Sequence, residues 1–313
     1  MQPQQMPLLP AESRQTTEPP SLNVVSPLQR ALAAFHDHML AQGLSLYTVK
    51  AFDSDLGLLG GYLGLGTTVG SIDTRRLEQF LAYLRQGRGV PCNQKSLERR
   101  VTALKVFFAW LSEERVLAED PAAPLVHHRA TTPLQRVLSE QEIAQLLQAT
   151  DQWRHVALRA DARPHLLVTL LLATGIKKGE CMSIALEDLC ISEPQSAALN
   201  IHYPSLKQRF KERRLRLPSA FAGILQEYLD EYKPAARLFE CTARNLEYVL
   251  DECAKRAGLP ARVLSFETLR WTCAVRDLRS GMDEDDLRRK LGLSHISWVE
   301  TSEKLRRLLS APL

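Results

Sequence analysis

The chain has 313 residues, 45% of them hydrophobic and 24% charged, and carries a net charge of +4. That length suits two domains of ordinary size, and the composition is that of a globular chain rather than a fibrous or low-complexity one. The longest strongly apolar stretch, Leu166 to Ile176, is too short to cross a bilayer and predicts a buried helix instead.

Residues 1–24 open with many Pro and Gln and no basic or apolar leader region, which predicts a disordered tail without a secretory signal. The six cysteines (Cys92, Cys181, Cys190, Cys241, Cys253 and Cys273) form no C-x-x-C pair. The expectation is therefore a reduced, cytoplasmic protein with no disulfide framework, metal site or cofactor.

Residues 25–125 read as a four-helix domain. The first helix is predicted from about Pro27 to Gln42, with Leu28, Leu32, Phe35 and Leu40 near helical spacing and Gly43 as its stop. A second runs from about Tyr47 to Leu63, with Gly60 and Gly61 leaving its end open. A third starts at the N-cap residue Asp73 and reaches Gly87. The fourth, Ser96 to Glu114, combines Arg99, Arg100 and Lys105 with Val101, Leu104, Phe107 and Leu111.

Pro121, Pro124 and Pro133 mark a linker, placed at 126–137, and the adjacent His127 and His128 are read as part of it rather than as a metal site. The second domain, 138–313, opens on a capping box, Ser139 to Glu142. A buried helix around His165 to Thr174 ends at Gly175. Two short strands, Ala198 to Tyr203 and Arg213 to Leu217, flank a very basic segment, PSLKQRFKERRLRLP. Helices return at about 219–232, 242–257, 266–280, 284–291 and 297–309. The fold class expected is mainly α, in two domains, with a small β element in the second.

Four local motifs occur in order. They are SLERRVTALKVFFAWL, LLATGIKKGECMSI, FKERRLRLP and the long FETLRWTCAVRDLRSGMDEDDLRRKLGLSHISWVETS. In this order they resemble the tyrosine recombinases of the phage integrase family, the Xer type above all, over nearly the whole chain from Ser26. The LLATGIKKGECMSI motif resembles the family's T-G-[LM]-R-x-[ST]-E-L box. The last is similar, without gaps, to its H-x-L-R-H … L-G-H-S-x-I-S-T-T-x-x-Y block.

The resemblance implies a mechanism in which a tyrosine attacks a DNA phosphate held by two arginines, with a lysine and a histidine moving protons. Carried across residue by residue, the first arginine corresponds to Lys177, which keeps the charge but not the planar two-point contact. The histidine corresponds to Glu267, also an ordinary residue for a helix N-terminus. Arg270 is retained. The hairpin lysine falls at Gln208 or, with a shift of one, at Lys207. The hydrogen-bond donor position is Leu293 and the nucleophile position is Ser302, with no tyrosine after Tyr248.

From these losses the expectation is a protein that is not an enzyme. It would bind double-stranded DNA as an accessory, architectural or regulatory factor linked to DNA recombination or a mobile element, at the nucleoid. Its partners would be itself or an active tyrosine recombinase, with no membrane and no small-molecule substrate. The DNA-binding residues expected are Arg99, Arg100, Lys105, Lys177, Lys207, Arg209, Lys211, Arg213, Arg214 and Arg270. Lys207, Arg209, Lys211 and Arg213 alternate, which on an extended strand puts four cations on one face. Two alternatives stand beside this reading. One is a divergent recombinase using Ser302 or another nucleophile. The other is a protein-binding module marked by Asp53, Asp55 and the run Asp283 to Asp286.

Overall fold

A computed structural model describes residues 22–89, 92–126, 134–156, 160–191 and 196–310. Most of the expected tail, and the linker residues His127, His128 and Pro133, lie outside that set. The chain divides into two compact units, residues 1–132 and 133–313. No helix among the described residues is long and apolar enough to cross a membrane.

The first unit holds four helices: α1 (Leu28–Ala41), α2 (Leu46–Leu63), α3 (Thr74–Ala82, extended by a π turn over Tyr83–Gly87) and α4 (Gln94–Glu113). Side-chain caps set three of the starts. Ser45, Asp73 and Asn93 each accept a hydrogen bond from the backbone N–H three residues on. Asn93 thereby begins α4 two residues ahead of the sequence expectation. The core is built from Leu28, Phe35, Leu59, Phe80, Phe107 and Phe108 and their neighbours. The Gly60–Gly61 pair does not break α2, which runs through to Leu63; a Cβ at 60 would have to displace the Leu65 side chain.

The second unit begins with α5 (Glu140–Arg154), whose capping box joins Ser139 and Glu142 reciprocally. Next comes α6 (Arg163–Thr174), buried nearly all round and closed by Gly175 in the left-handed region (φ 59°). The short α7 (Lys178–Ser183) leads to a three-stranded antiparallel sheet of β1 (Leu189–Cys190), β2 (Ala198–Ile201) and β3 (Arg213–Arg216) in that order. Leu199 pairs with Leu215 and Ile201 with Arg213. Helices α8 (Phe221–Tyr232), α9 (Ala243–Arg256), α10 (Phe266–Arg279), α11 (Glu284–Lys290) and α12 (His295–Ser310) complete it. The mainly helical architecture with a small sheet is as expected from sequence. The stub strand β1 and the short α7 have too few residues to show a period, and neither was anticipated.

Leu305 is buried, and Leu308 and Leu309 pack with it against Ala274, Val275, Leu287 and Leu291. The C-terminal leucines thus fill a groove of their own unit.

Candidate functional site

A cavity of about 600 Å³ opens in the second unit, lined by Lys177, Glu267, Arg270, Trp271, Leu293 and Thr301 among others. Lys178, Arg262, Glu247 and Asp251 also line it, and its two buried cations, Lys177 and Arg270, come from two turns that the backbone brings together. Gly175 ends α6 with a left-handed residue, so the chain reverses and presents Lys177 as the residue before α7. Arg270 lies in the second turn of α10, a helix started by the Ser265 cap. Its guanidinium is pinned by donating to the Gly175 carbonyl and, at 2.7 Å, to that of Leu291. Of its five N–H donors, Nε and one on each terminal nitrogen have no hydrogen-bond partner among the described residues. Burial and then the neighbouring Arg270 charge lower the Lys177 amine from its ordinary value, against the pull of Glu180. Burial also lowers Arg270, with Glu180 opposing and Arg213 adding to the effect. Two desolvated cations side by side are an arrangement that an anion relieves.

Beneath the cavity, Glu180 ties the hairpin to it. The carboxylate is 5% exposed and receives both guanidinium ends of Arg213, at 3.0 and 3.1 Å. It also accepts from the Tyr203 hydroxyl and, at 2.8 Å, from the Lys177 backbone N–H. Burial alone would raise its pKa, yet the Arg213 bonds and charge, with Tyr203 and the Lys177 N–H, hold it below the ordinary value. The same contact, after burial, pushes Tyr203 up to about 12.

The hairpin departs from expectation. Residues Leu206–Lys211 form a 3-10 turn, and only Arg213–Arg216 are extended. The alternation of Lys207, Arg209, Lys211 and Arg213 therefore does not gather four cations on one strand face. Arg213 belongs to the interior: its side chain is 8% exposed and also donates to the carbonyls of Lys290 (2.6 Å) and Lys211 (2.8 Å). Four of its five N–H donors are taken by Glu180 and backbone carbonyls, so this buried guanidinium has at most one left to offer DNA. Lys207, Arg209, Arg214 and Arg216 are exposed, and with Lys211 they have no acidic partner among the described residues. Lys211 and Arg213 are the hairpin cations whose charges are felt at Lys177.

Other expected site residues fall elsewhere. In the first unit, Arg99 bonds Asp55 at 2.8 Å, and Arg100, 12% exposed, lies 3.5 Å from it. Asp55 is 2% exposed, so it is the buried anchor of α4 on α2 rather than part of an acidic docking face. Lys105 donates to the Ala123 carbonyl at 2.8 Å. Asp53 pairs with His36. The run Asp283 to Asp286 is occupied as well: Asp283 caps α11, Asp285 meets Arg288 and Arg289, Asp286 meets Arg289, and Glu284 meets Arg306.

Glu267 stands exposed in the first turn of α10 and accepts from Trp271 Nε1 at 3.0 Å. Leu293 forms part of the apolar wall. Ser302 is turned away from solvent, 7% exposed, with its Oγ donating to the Val299 carbonyl at 3.1 Å. Thr301, not Ser302, lines the cavity, and its own Oγ1 donates to the Ser297 carbonyl at 2.8 Å. Sequence reading passed over Thr301, Glu180 and Tyr203. The helical period could have shown the first, since burying Ser302 and Leu305 on one face rotates position 301 onto the flank.

A mostly helical chain with a cationic cavity beside a basic hairpin has the build of the phage-integrase class of proteins. The chain belongs to that family: residues 136–302 match the Phage integrase family, and residues 32–115 match the phage integrase N-terminal SAM-like domain. Among its relatives is the tyrosine recombinase XerD of Listeria innocua, 23% identical over 279 residues, covering 85% of this chain and 90% of that protein. The tyrosine recombinase XerD of Vibrio cholerae is 24% identical over 304 residues, covering 91% and 96%. A crystal structure of a lambda integrase dimer bound to a COC' core site shares the fold, with a TM-score of 0.68 at 14% identity over 92% of this chain and 80% of that one.

These relatives overturn the expectation that the chain is not an enzyme, since the proteins it matches along nearly their full length are named recombinases. The physical reason is that changes at single aligned positions leave the rest standing. Lys177 and Arg270 still line one cavity, and the Lys211 charge is felt at Lys177.

Proposed function

We propose that the chain binds duplex DNA and takes part in its recombination, holding backbone phosphate at the Lys177–Arg270 cavity and along the hairpin between β2 and β3. One observation carries this reading. Lys207, Arg209, Lys211, Arg214 and Arg216 have no acidic partner among the described residues and stand on the element that adjoins the cavity. Concentrated like charge without internal compensation is favourable only against a polyanion, and phosphate neutralisation by such residues releases counterions. Of the DNA contacts read from sequence, Lys177, Lys207, Arg209, Lys211, Arg214 and Arg270 are kept. Arg213, Arg99, Arg100 and Lys105, bonded to Glu180, Asp55 and the Ala123 carbonyl, are read as structural. The relatives' names and the DNA-bound lambda integrase support the process and a multimeric assembly on DNA, either of this chain or with another recombinase.

A gel-shift series from low to high salt tests it. Each phosphate contact contributes a slope of about −0.9 in log affinity against log salt. A chain that binds no duplex at low salt, or binds with no salt slope, ends the proposal.

Strand cleavage is a separate reading, favoured by the placing of Thr301 in the cavity wall with Lys177 and Arg270. The Thr301 oxygen would attack phosphorus and expel a deoxyribose oxygen, which takes up a proton. A nicked suicide duplex would trap that adduct. Loss of the adduct in Thr301→Ala but not Ser302→Ala supports this reading, and loss in Ser302→Ala alone refutes it.

A further inference from the structure

The tip of the hairpin carries a feature that phosphate binding alone does not use. Leu206 is 73% and Phe210 62% exposed, at the two ends of a six-residue turn whose other exposed side chains are cationic or amide. In a 3-10 turn, residues three apart lie on one row. Leu206 therefore shares a row with Arg209, and Phe210 shares one with Lys207. Each row sets an apolar group beside a cation. Phe210 is also steadied: Lys211 Nζ stands 5.3 Å from its ring centre and 5.6 Å from that of Tyr203. Tyr203 is in turn bonded to Glu180, so the ring's support runs down to the buried ion pair.

Two large exposed apolar side chains on one short cationic turn gain by being covered by a partner. The partner must meet cations and apolar groups within a few ångströms of one another. A DNA groove does so, with phosphates on both rims and stacked bases between them, and apolar side chains entering a base step unstack and kink the duplex. We propose that the hairpin tip is a DNA-deforming wedge, with Phe210 entering a base step, Leu206 covering its edge, and Lys207 and Arg209 gripping the flanking phosphates. This rests on the DNA-binding reading above, and adds that the bound duplex is locally unstacked.

The test uses the full chain and a 30-base-pair duplex containing several TA steps, with 2-aminopurine beside them as the reporter of unstacking. Wild-type protein at saturation in low salt is expected to raise the fluorescence severalfold. Phe210→Ala is expected to bind with the same salt slope, affinity falling no more than about tenfold, while at least half of the fluorescence rise is lost. Lys207→Gln with Arg209→Gln is expected to do the reverse, flattening the slope by up to about 2 at 0.9 per contact while the rise at saturation persists. These side chains are exposed, so an unchanged melting curve certifies folding in each variant.

Equal fluorescence from Phe210→Ala and wild type at saturation overturns the wedge and leaves DNA binding standing. Absence of duplex binding by wild type removes both. A Phe210→Ala defect confined to binding of an acidic polypeptide such as polyglutamate, with the DNA signal intact, overturns it in favour of a protein partner.

Discussion

The reassignment of Arg213 from DNA contact to interior ion pair makes a quantitative demand on Glu180. In Glu180→Gln the shape is retained, but the charge is removed and an NH2 replaces one acceptor. The side chain then no longer receives two guanidinium donors, the Tyr203 hydroxyl and the Lys177 N–H together. Arg213, 8% exposed, is left as a buried cation with only the Lys290 and Lys211 carbonyls. Breaking a buried pair in this way costs about 3–5 kcal/mol. For a unit the size of residues 133–313, at roughly 2–4 °C per kcal/mol, the thermal midpoint should fall by about 6–20 °C.

Glu180→Leu and Arg213→Met should each fall in the same range, whereas the two combined should cost clearly less than their sum, because both charges leave together. Circular dichroism melts of the four proteins supply the cycle. The pH profile adds an independent check. The folded Glu180 pKa lies below its ordinary 4.5, so its stabilisation is complete above about pH 4.5 and is lost as pH falls through the folded value. The Gln variant should lose that slope. If Arg213→Met melts within about 1 kcal/mol of wild type but loses duplex affinity, Arg213 is a DNA contact after all and the reasoning fails.

Three further outcomes are expected. Asp55→Asn should cost less than Glu180→Gln, about 1–2 kcal/mol by denaturant melts, because Arg99 is 48% exposed and turns to solvent and only Arg100 is left enclosed. Neutralising Lys207, Arg209, Arg214 and Arg216 together should leave the melt unchanged and reduce the gel-shift salt slope by up to about 4. Ser302→Ala should shift stability by no more than about 1 kcal/mol, since its hydroxyl serves only the Val299 carbonyl, and should leave duplex binding as it was.

Much of the fold was legible because local chemistry decided it. The capping box at Ser139, the N-cap at Asp73 and the left-handed stop at Gly175 each satisfy backbone groups within a few residues, so their meaning does not depend on the rest of the chain. The helix periods gave the right faces for Phe35 and Phe107. The hairpin tip was misread for a related reason. Alternating charge in LKQRFKER resembles a strand face, but strand pairing needs a partner at the right distance, and β2 ends at Ile201, opposite Arg213. With no strand to pair with, residues 206–211 turn upon themselves.

By itself the sequence determined where the elements run, the two-domain order, the mild basic balance and the family motifs, all of which are read from neighbours in the chain. Tertiary structure alone decided which charges are free. Arg99, Arg100, Arg213, Asp55 and Glu180 look like surface residues in a line of text, and each is consumed by a partner 33 or more residues away, as in Arg213 with Glu180 and Arg99 with Asp55. It also decided that Thr301 rather than Ser302 faces the cavity. Burial and pairing are properties of where distant segments meet, and a one-residue turn of α12 changes which residue lines the Lys177–Arg270 cavity.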